Sequence, residues 1–235
     1  MMYVTAIVLA AGKGVRFGAR CSKPLVEIDS KPLVAHSLLC LDKHRLVDEI
    51  IVVANAANRE KIIKAIEKYR FHKVKKVVLG GKRRQDSVRH GLAVLPRQVD
   101  VVLIHDCARP FIDGKIVTSA VKEAQRSHAA IVGVPVKATI KSVKVSKCQG
   151  VKARCIVEKT LDRKKLWEIQ TPQVFRKEVI VEAYKKFGRM DVTDDAALVE
   201  KLGYKVSLVM GAYSNIKITT PEDLPVAEAL LKTKR

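Results

Sequence analysis

Residues 4 to 10, V-T-A-I-V-L-A, form an uncharged, largely β-branched run, and glycine-rich residues follow at once. Such a run reads as a strand buried on both faces. A strand of that kind needs a mostly parallel sheet covered by helices on each side. The loop behind it, A-G-K-G-V-R-F-G-A-R-C-S-K-P, sets small residues beside two spaced cations, Arg16 and Lys23. Small residues at the carboxyl end of a strand let backbone N–H groups approach phosphate oxygens. The loop is therefore predicted to handle phosphate.

Two familiar phosphate loops do not match it. A dinucleotide fingerprint needs G-x-G-x-x-G and an acid ending the second strand for the ribose. Here the glycines are Gly12, Gly14 and Gly18, and the second strand, E-I-I-V-V-A-N, ends in Asn55. A P-loop needs G-x-x-x-x-G-K-[ST]. No Gly-Lys pair in the chain follows a glycine at that spacing or precedes Ser or Thr.

The rest of the chain repeats the strand–helix alternation. Helices are predicted at 32–41, at 58–69 with Asn58 as its cap, at 86–95 and at 114–127, and strands at 49–54, 76–79, 99–106 and 129–136. This predicts an α/β fold: a Rossmann-like, mostly parallel sheet with helices on both faces. Ligands of such sheets bind outside the carboxyl ends of the strands, so the first loop, 80–87 and 106–109 should meet in one crevice. Residues 137–160 break the alternation. They read as a β-hairpin arm turning at Gln149–Gly150, whose exposed edges call for a second copy of the chain. Helices at 177–187 and 193–202, a strand at 205–210, and a last helix entered through Thr220 and Pro221 complete the reading. The whole, 1–235, is expected to be one domain with the arm, 137–160, inside it.

Composition narrows the function classes. The 235 residues carry 45 basic and 24 acidic side chains, a formal charge of +21, which favours anionic ligands. Nucleic acid is not expected as a partner, because the cations are spread over helix faces and hairpins without an aromatic stacking motif. The longest apolar run is far too short to span a bilayer, and no signal-peptide pattern opens the chain. Five cysteines without a C-x-x-C pair argue against a disulfide framework or zinc site and for a reducing, cytoplasmic setting.

Nucleotidyl transfer requires alignment of a phosphate nucleophile with an α-phosphorus, and positive charge around a crowded anionic transition state. Arg16, Lys23, Arg109, Arg163 and Lys217 could supply the charge and Asp106 a carboxylate for Mg²⁺. An acid that ends an apolar strand is seldom there for packing. His105 is expected to face away and pack, and Cys107 to be a small buried side chain rather than a nucleophile.

Seven segments fall in an order that resembles one family: A-A-G-K-G-V-R-F-G, G-G-K-R-R-Q-D-S-V-R-H-G (80–91), H-D-C-A-R-P-F (105–111), T-L-D-R-K-K-L-W (160–167), Q-T-P-Q-V-F (170–175), T-D-D-A (193–196) and N-I-K-I-T-T-P-E-D-L (215–224). Together they are similar to the 2-C-methyl-D-erythritol 4-phosphate cytidylyltransferases of non-mevalonate isoprenoid synthesis. The resemblance implies that Ala10, Ala11, Gly12, Gly14, Gly80, Gly81 and Ser87 hold CTP. It implies that Arg16 and Lys23 stabilise the pentacovalent phosphorus, and that Asp106 and Arg109 contact the phosphorylated polyol, with Asp106 near Mg²⁺. Thr139 and Arg163, from the partner of a homodimer built on the arm, would bind the substrate phosphate and with Lys217 position it. Ribitol 5-phosphate cytidylyltransferases share most of these motifs, and a basic, non-catalytic nucleic-acid-binding relative is the other alternative. Ser22-Lys23-Pro24-Leu25 and Ser214 depart from the family's usual pattern.

Overall fold

The computed structural model describes residues 2–12, 14, 17, 22–146 and 154–233. In chain order the strands are β1 (Val4–Ala10), β2 (Glu27–Ile28), β3 (Lys31–Pro32), β4 (Glu49–Ala54), β5 (Val74–Leu79), β6 (Val101–Asp106), β7 (Ala129–Pro135), β8 (Lys141–Ser146), β9 (Arg154–Thr160), β10 (Trp167–Arg176) and β11 (Ser207–Met210). The helices are α1 (Leu33–Lys43), α2 (Arg59–Lys68), α3 (Arg84–Ala93), α4 (Gly114–Ser127), α5 (Lys177–Phe187), α6 (Ala196–Lys201) and α7 (Asp223–Lys232). Seven strands form the central sheet in the order β11-β7-β10-β6-β1-β4-β5.

Strand β1 lies at the middle of the parallel part, between β6 and β4, and every residue of it is buried. Because successive side chains of a strand point to opposite faces, β1 feeds two cores. Val4, Ala6, Val8 and Ala10 face one core with Val34 and Leu38 of α1, Ile62 of α2 and Val117 and Val121 of α4. Ile7 and Leu9 face the other with Val88 of α3, Ile180 of α5 and Leu198 of α6. The predicted double burial of this strand is observed, and so is the mostly parallel sheet.

The sequence reading missed β10. It runs antiparallel between β6 and β7, at the heart of the sheet. Its pairing with β7 shifts register between Gln170 and Gln173, where Pro172 has no N–H to donate. Two expected helix caps differ in detail. Asn58 holds the N-cap position of α2 but makes no side-chain capping bond: it is fully buried and its side-chain amide donates to Ala10 O and Ser22 Oγ, at 2.9 and 3.0 Å, bracing the first loop. Helix α7 starts at Asp223, whose carboxylate accepts from the Thr219 and Thr220 amides.

The arm is present as an antiparallel pair of β8 with β9 that belongs to neither face of the main sheet. Its expected turn at Gln149–Gly150 lies outside the described residues. Among those described, Val143, Ile156 and Val157 on the arm are exposed. No described helix is long and apolar enough to cross a membrane.

Candidate active site

The carboxyl ends of β1, β5 and β6 open into one crevice. Gly12 and Lys23 line it from the first loop, Gly81 to Arg84 and Ser87 from the β5–α3 turn, Asp106 to Ala108 from β6, and Lys217 from the segment before α7. Each of these groups is placed by a local arrangement that the sequence can be read to require.

The floor of the crevice is backbone. Asn55 and Asn58 exchange bonds, each side-chain oxygen accepting from the other's amide N–H at 2.9 Å, and their side-chain amides donate to Ala11 O and Ala10 O. This pair holds the root of the first loop against the end of β4. A Cβ on Gly80 would stand 2.5 Å from Ala11 Cβ and 2.7 Å from Ser87 Oγ, so only glycine lets the β5–α3 turn approach β1 this closely. A Cβ on Gly12 would meet nothing within 4 Å: that side of the loop faces open crevice. Ser87 Oγ accepts from Gly81 N–H at 3.2 Å and holds the turn over the start of α3.

The charged wall is built around Asp106. Its register partner on β1 is Leu9, one residue before the strand ends, and its N–H is caught by Thr171 Oγ1 at 3.1 Å. Oδ1 accepts from Arg84 Nε at 3.1 Å and Oδ2 from Lys217 Nζ at 2.6 Å. Burial alone would raise this carboxyl, but Arg84 and Lys217 outweigh it and hold Asp106 well below the usual carboxylate range, ionised at neutral pH. Lys217 is brought here by its neighbours. Asn215 is fully buried and donates to Gln170 Oε1 and Thr171 O, and Ile218 N–H bonds to Ala108 O.

His105 and Cys107 flank Asp106 without entering the crevice chemistry as acid or nucleophile. His105 Nε2 lies 3.1 Å from Arg109 O, which can only accept, so this nitrogen carries the proton. Nδ1 then accepts from the Thr171 hydroxyl at 3.0 Å. Burial lowers the imidazole to about 4, which keeps that neutral tautomer. Cys107 is buried, and burial pushes its thiol up to about 12, far from a reactive thiolate. Both expectations for these two residues hold.

The sequence profile of the family described as IspD, 2-C-methyl-D-erythritol 4-phosphate cytidylyltransferase, matches residues 4–233. A cytidylyltransferase of that name from Alkaliphilus metalliredigens is 43% identical over 236 residues, covering 99% of this chain and 94% of that protein. Another from Halalkalibacterium halodurans is 41% identical over 235 residues, 99% of both chains. The crystal structure of 4-diphosphocytidyl-2C-methyl-D-erythritol synthase from Anaerococcus prevotii superposes with a TM-score of 0.84 at 32% identity, covering 98% of this chain and 96% of that one. The chain belongs to the 2-C-methyl-D-erythritol 4-phosphate cytidylyltransferase family. It is thus a nucleotidyltransferase by family, and the ribitol phosphate and nucleic-acid alternatives are not favoured.

With the family in hand, the predicted site residues divide. Lys23, Gly12, Ala11, Gly81, Ser87, Asp106 and Lys217 line the crevice. Ala10 is fully buried beneath it, and Gly14 continues the loop in the left-handed region at φ 62°. Arg16 lies outside the described residues. Arg109, expected as a polyol contact, is not among the residues that line the crevice. It is buried, with Nη1 donating to Asn215 O at 2.8 Å and Nη2 to Ile169 O at 3.1 Å, so it braces the strand end from behind. Thr139 and Arg163 are exposed at the root of the arm, where Arg163 Nη1 donates to Lys137 O at 3.0 Å, and neither lines the crevice.

Two residues of the wall were not assigned roles from sequence. Arg84 spans from Asp106 to Asp195, with Nη1 2.8 Å from Asp195 Oδ2. Both lie inside quoted motifs, but among so many cations no spacing singled out Arg84. Among the described residues no group of three metal-ligating side chains occurs. Asp106 is a single carboxylate with two of its roughly four lone-pair positions already taken. That suits Mg²⁺ held mainly by substrate phosphates and one protein oxygen, the usual way this ion is bound.

Proposed function

We propose that the crevice transfers the cytidylyl group of CTP to 2-C-methyl-D-erythritol 4-phosphate. A phosphate oxygen of the polyol attacks the α-phosphorus, the bond to the β-phosphate oxygen breaks, and pyrophosphate leaves. No general base is needed, because a phosphate dianion is already a nucleophile near neutral pH. The observation that carries this reading is the meeting of Lys23, Asp106 and Lys217 at one strand-end crevice whose floor is small residues.

Ala10, Ala11, Gly12 and Gly14, with Gly80, Gly81 and Ser87, would hold the nucleotide through backbone groups. Arg16 and Lys23 would meet the charge that builds on phosphorus. Asp106 would orient the polyol and offer one oxygen to Mg²⁺, which when bound neutralises phosphate charge. Lys217, tethered to Asp106, would steer the substrate phosphate into line. Arg109 would act from behind, through the backbone it braces. Thr139 and Arg163 would reach the site of a second copy, the arm serving as the dimer contact, and the protein would work in the cytoplasm.

The experiment is pyrophosphate release from CTP and Mg²⁺ with each alcohol phosphate in turn. Release with 2-C-methyl-D-erythritol 4-phosphate and little with ribitol 5-phosphate is expected; the reverse preference would overturn the substrate assignment.

A further inference from the structure

From behind the crevice runs a chain of alternating charges: Asp195, Arg84, Asp106 and Lys217. Arg84, Asp106 and Lys217 line the crevice, and Asp195 alone stands behind it. We infer that Asp195 is a positioning residue for the transfer: through Arg84 it holds Asp106, and with it Lys217, in the orientation that the reaction uses. The inference rests on the reading of the crevice as the catalytic centre.

Asp195 is held more firmly than packing alone requires. It is fully buried at the start of α6, with Oδ2 on Arg84 and Oδ1 accepting from Tyr184 Oη at 2.5 Å. Its backbone N–H and that of Ala196 both donate to Gln173 Oε1, at 3.1 and 3.2 Å, while Gln173 Nε2 donates to Asp194 Oδ2 at 2.8 Å. The carboxylate therefore has no rotational freedom left. Arg84, by contrast, opens α3 with a quarter of its side chain exposed to the crevice, and its guanidinium bridges two carboxylates with separate nitrogens. Burial works against its charge, but Asp195 and Asp106 outweigh that and keep it protonated.

A buried ion pair is a weak source of stability, since an apolar replacement of similar shape often serves folding as well. Its value here is geometric. An arginine at the mouth of a nucleotide site would otherwise fork onto the incoming phosphates, which its planar donors fit bidentately. Asp195 holds one side of that fork away from the phosphates. Arg84 is left with Nε for Asp106 Oδ1, and Asp106 with Oδ2 for Lys217. Remove the Asp195 charge, and Arg84 swings towards the triphosphate while Asp106 loses one of its two fixed partners.

Nucleotide binding and turnover should then separate. In steady-state pyrophosphate release by the full chain, normalised to folded protein by circular dichroism, Asp195→Asn is expected to lower kcat on the order of a hundredfold, the scale of a misplaced reacting group. KM for CTP should stay level or fall, which mere loss of structure would not produce. Arg84→Lys, which keeps one ion pair, should recover part of the kcat that Arg84→Gln loses. Should Asp195→Asn fail to fold, the Arg84 pair decides alone. Wild-type kcat in Asp195→Asn, or in both Arg84 variants, overturns the positioning role, as does a loss confined to KM. A wild-type chain that releases no pyrophosphate contradicts the transferase reading itself, so the two failures are distinct.

Discussion

At the scale of single residues, His105 stands next to the site carboxylate yet is withdrawn from its chemistry by its tautomer. Burial lowers it to about 4 from an ordinary 6.5. Between those values the unfolded chain holds a proton on this imidazole and the folded chain does not. Its contribution to stability is therefore complete above about 6.5 and falls away as pH drops towards 4. Calorimetry across that range should show wild type losing melting temperature on acidification, and His105→Gln losing less over the same interval; equal slopes would contradict the assignment. Lys23 belongs to the chemistry instead. Lys23→Ala should cut turnover by roughly a hundredfold or more, the scale of one preorganised charge-stabilising group, in the pyrophosphate assay. What could be read at this scale from sequence was residue type at a strand end: Asp106, Lys23, the glycines. The direction in which a long cation points could not be read. Arg109 and Arg84 lie in equally suggestive motifs, and only packing sends one behind the strand and the other into the crevice.

Among the elements, β1, β4, β6 and α4 were legible because each is long, strongly patterned and bounded by turn residues. Strand β10 was not. It contains Gln170, Pro172 and Gln173, residue types that are not strand formers, and yet these three are buried at the centre of the sheet. Distant partners satisfy them. Gln170 bonds to Ala212 O and Asn215, and Gln173 to Asp194, Asp195 and Ala196, so β10 ties the segments that carry Lys217 and Asp195 to the sheet. No local pattern can announce a strand whose buried glutamines are paid for by residues 21 to 45 positions away. Phe175, fully buried on the same strand, anchors it. Phe175→Ala is expected to cost about 3–5 kcal/mol in denaturant unfolding, whereas a cost under about 1 kcal/mol would mean that β10 is not part of the folding core.

For the molecule as a whole, motif order along the chain carried the functional reading, while the proposed dimer rests on the arm. A hairpin with exposed Val143, Ile156 and Val157, flanked by Thr139 and Arg163, fits a second copy better than solvent. If Arg163 acts in the partner's site, mixed dimers of Lys23→Ala and Arg163→Ala chains contain one intact site, and mixing two nearly inactive preparations restores turnover. No recovery in mixed dimers would place Arg163 outside the partner's site. The central claim is that a polyol phosphate displaces pyrophosphate at this crevice, and ³¹P NMR of the reaction tests it most directly. With CTP, Mg²⁺ and 2-C-methyl-D-erythritol 4-phosphate, the account predicts paired doublets of a new diphosphate diester growing in step with pyrophosphate in wild type and nearly absent in Lys23→Ala. Release of CMP with the polyol phosphate unchanged, or equal product from both proteins, would contradict it.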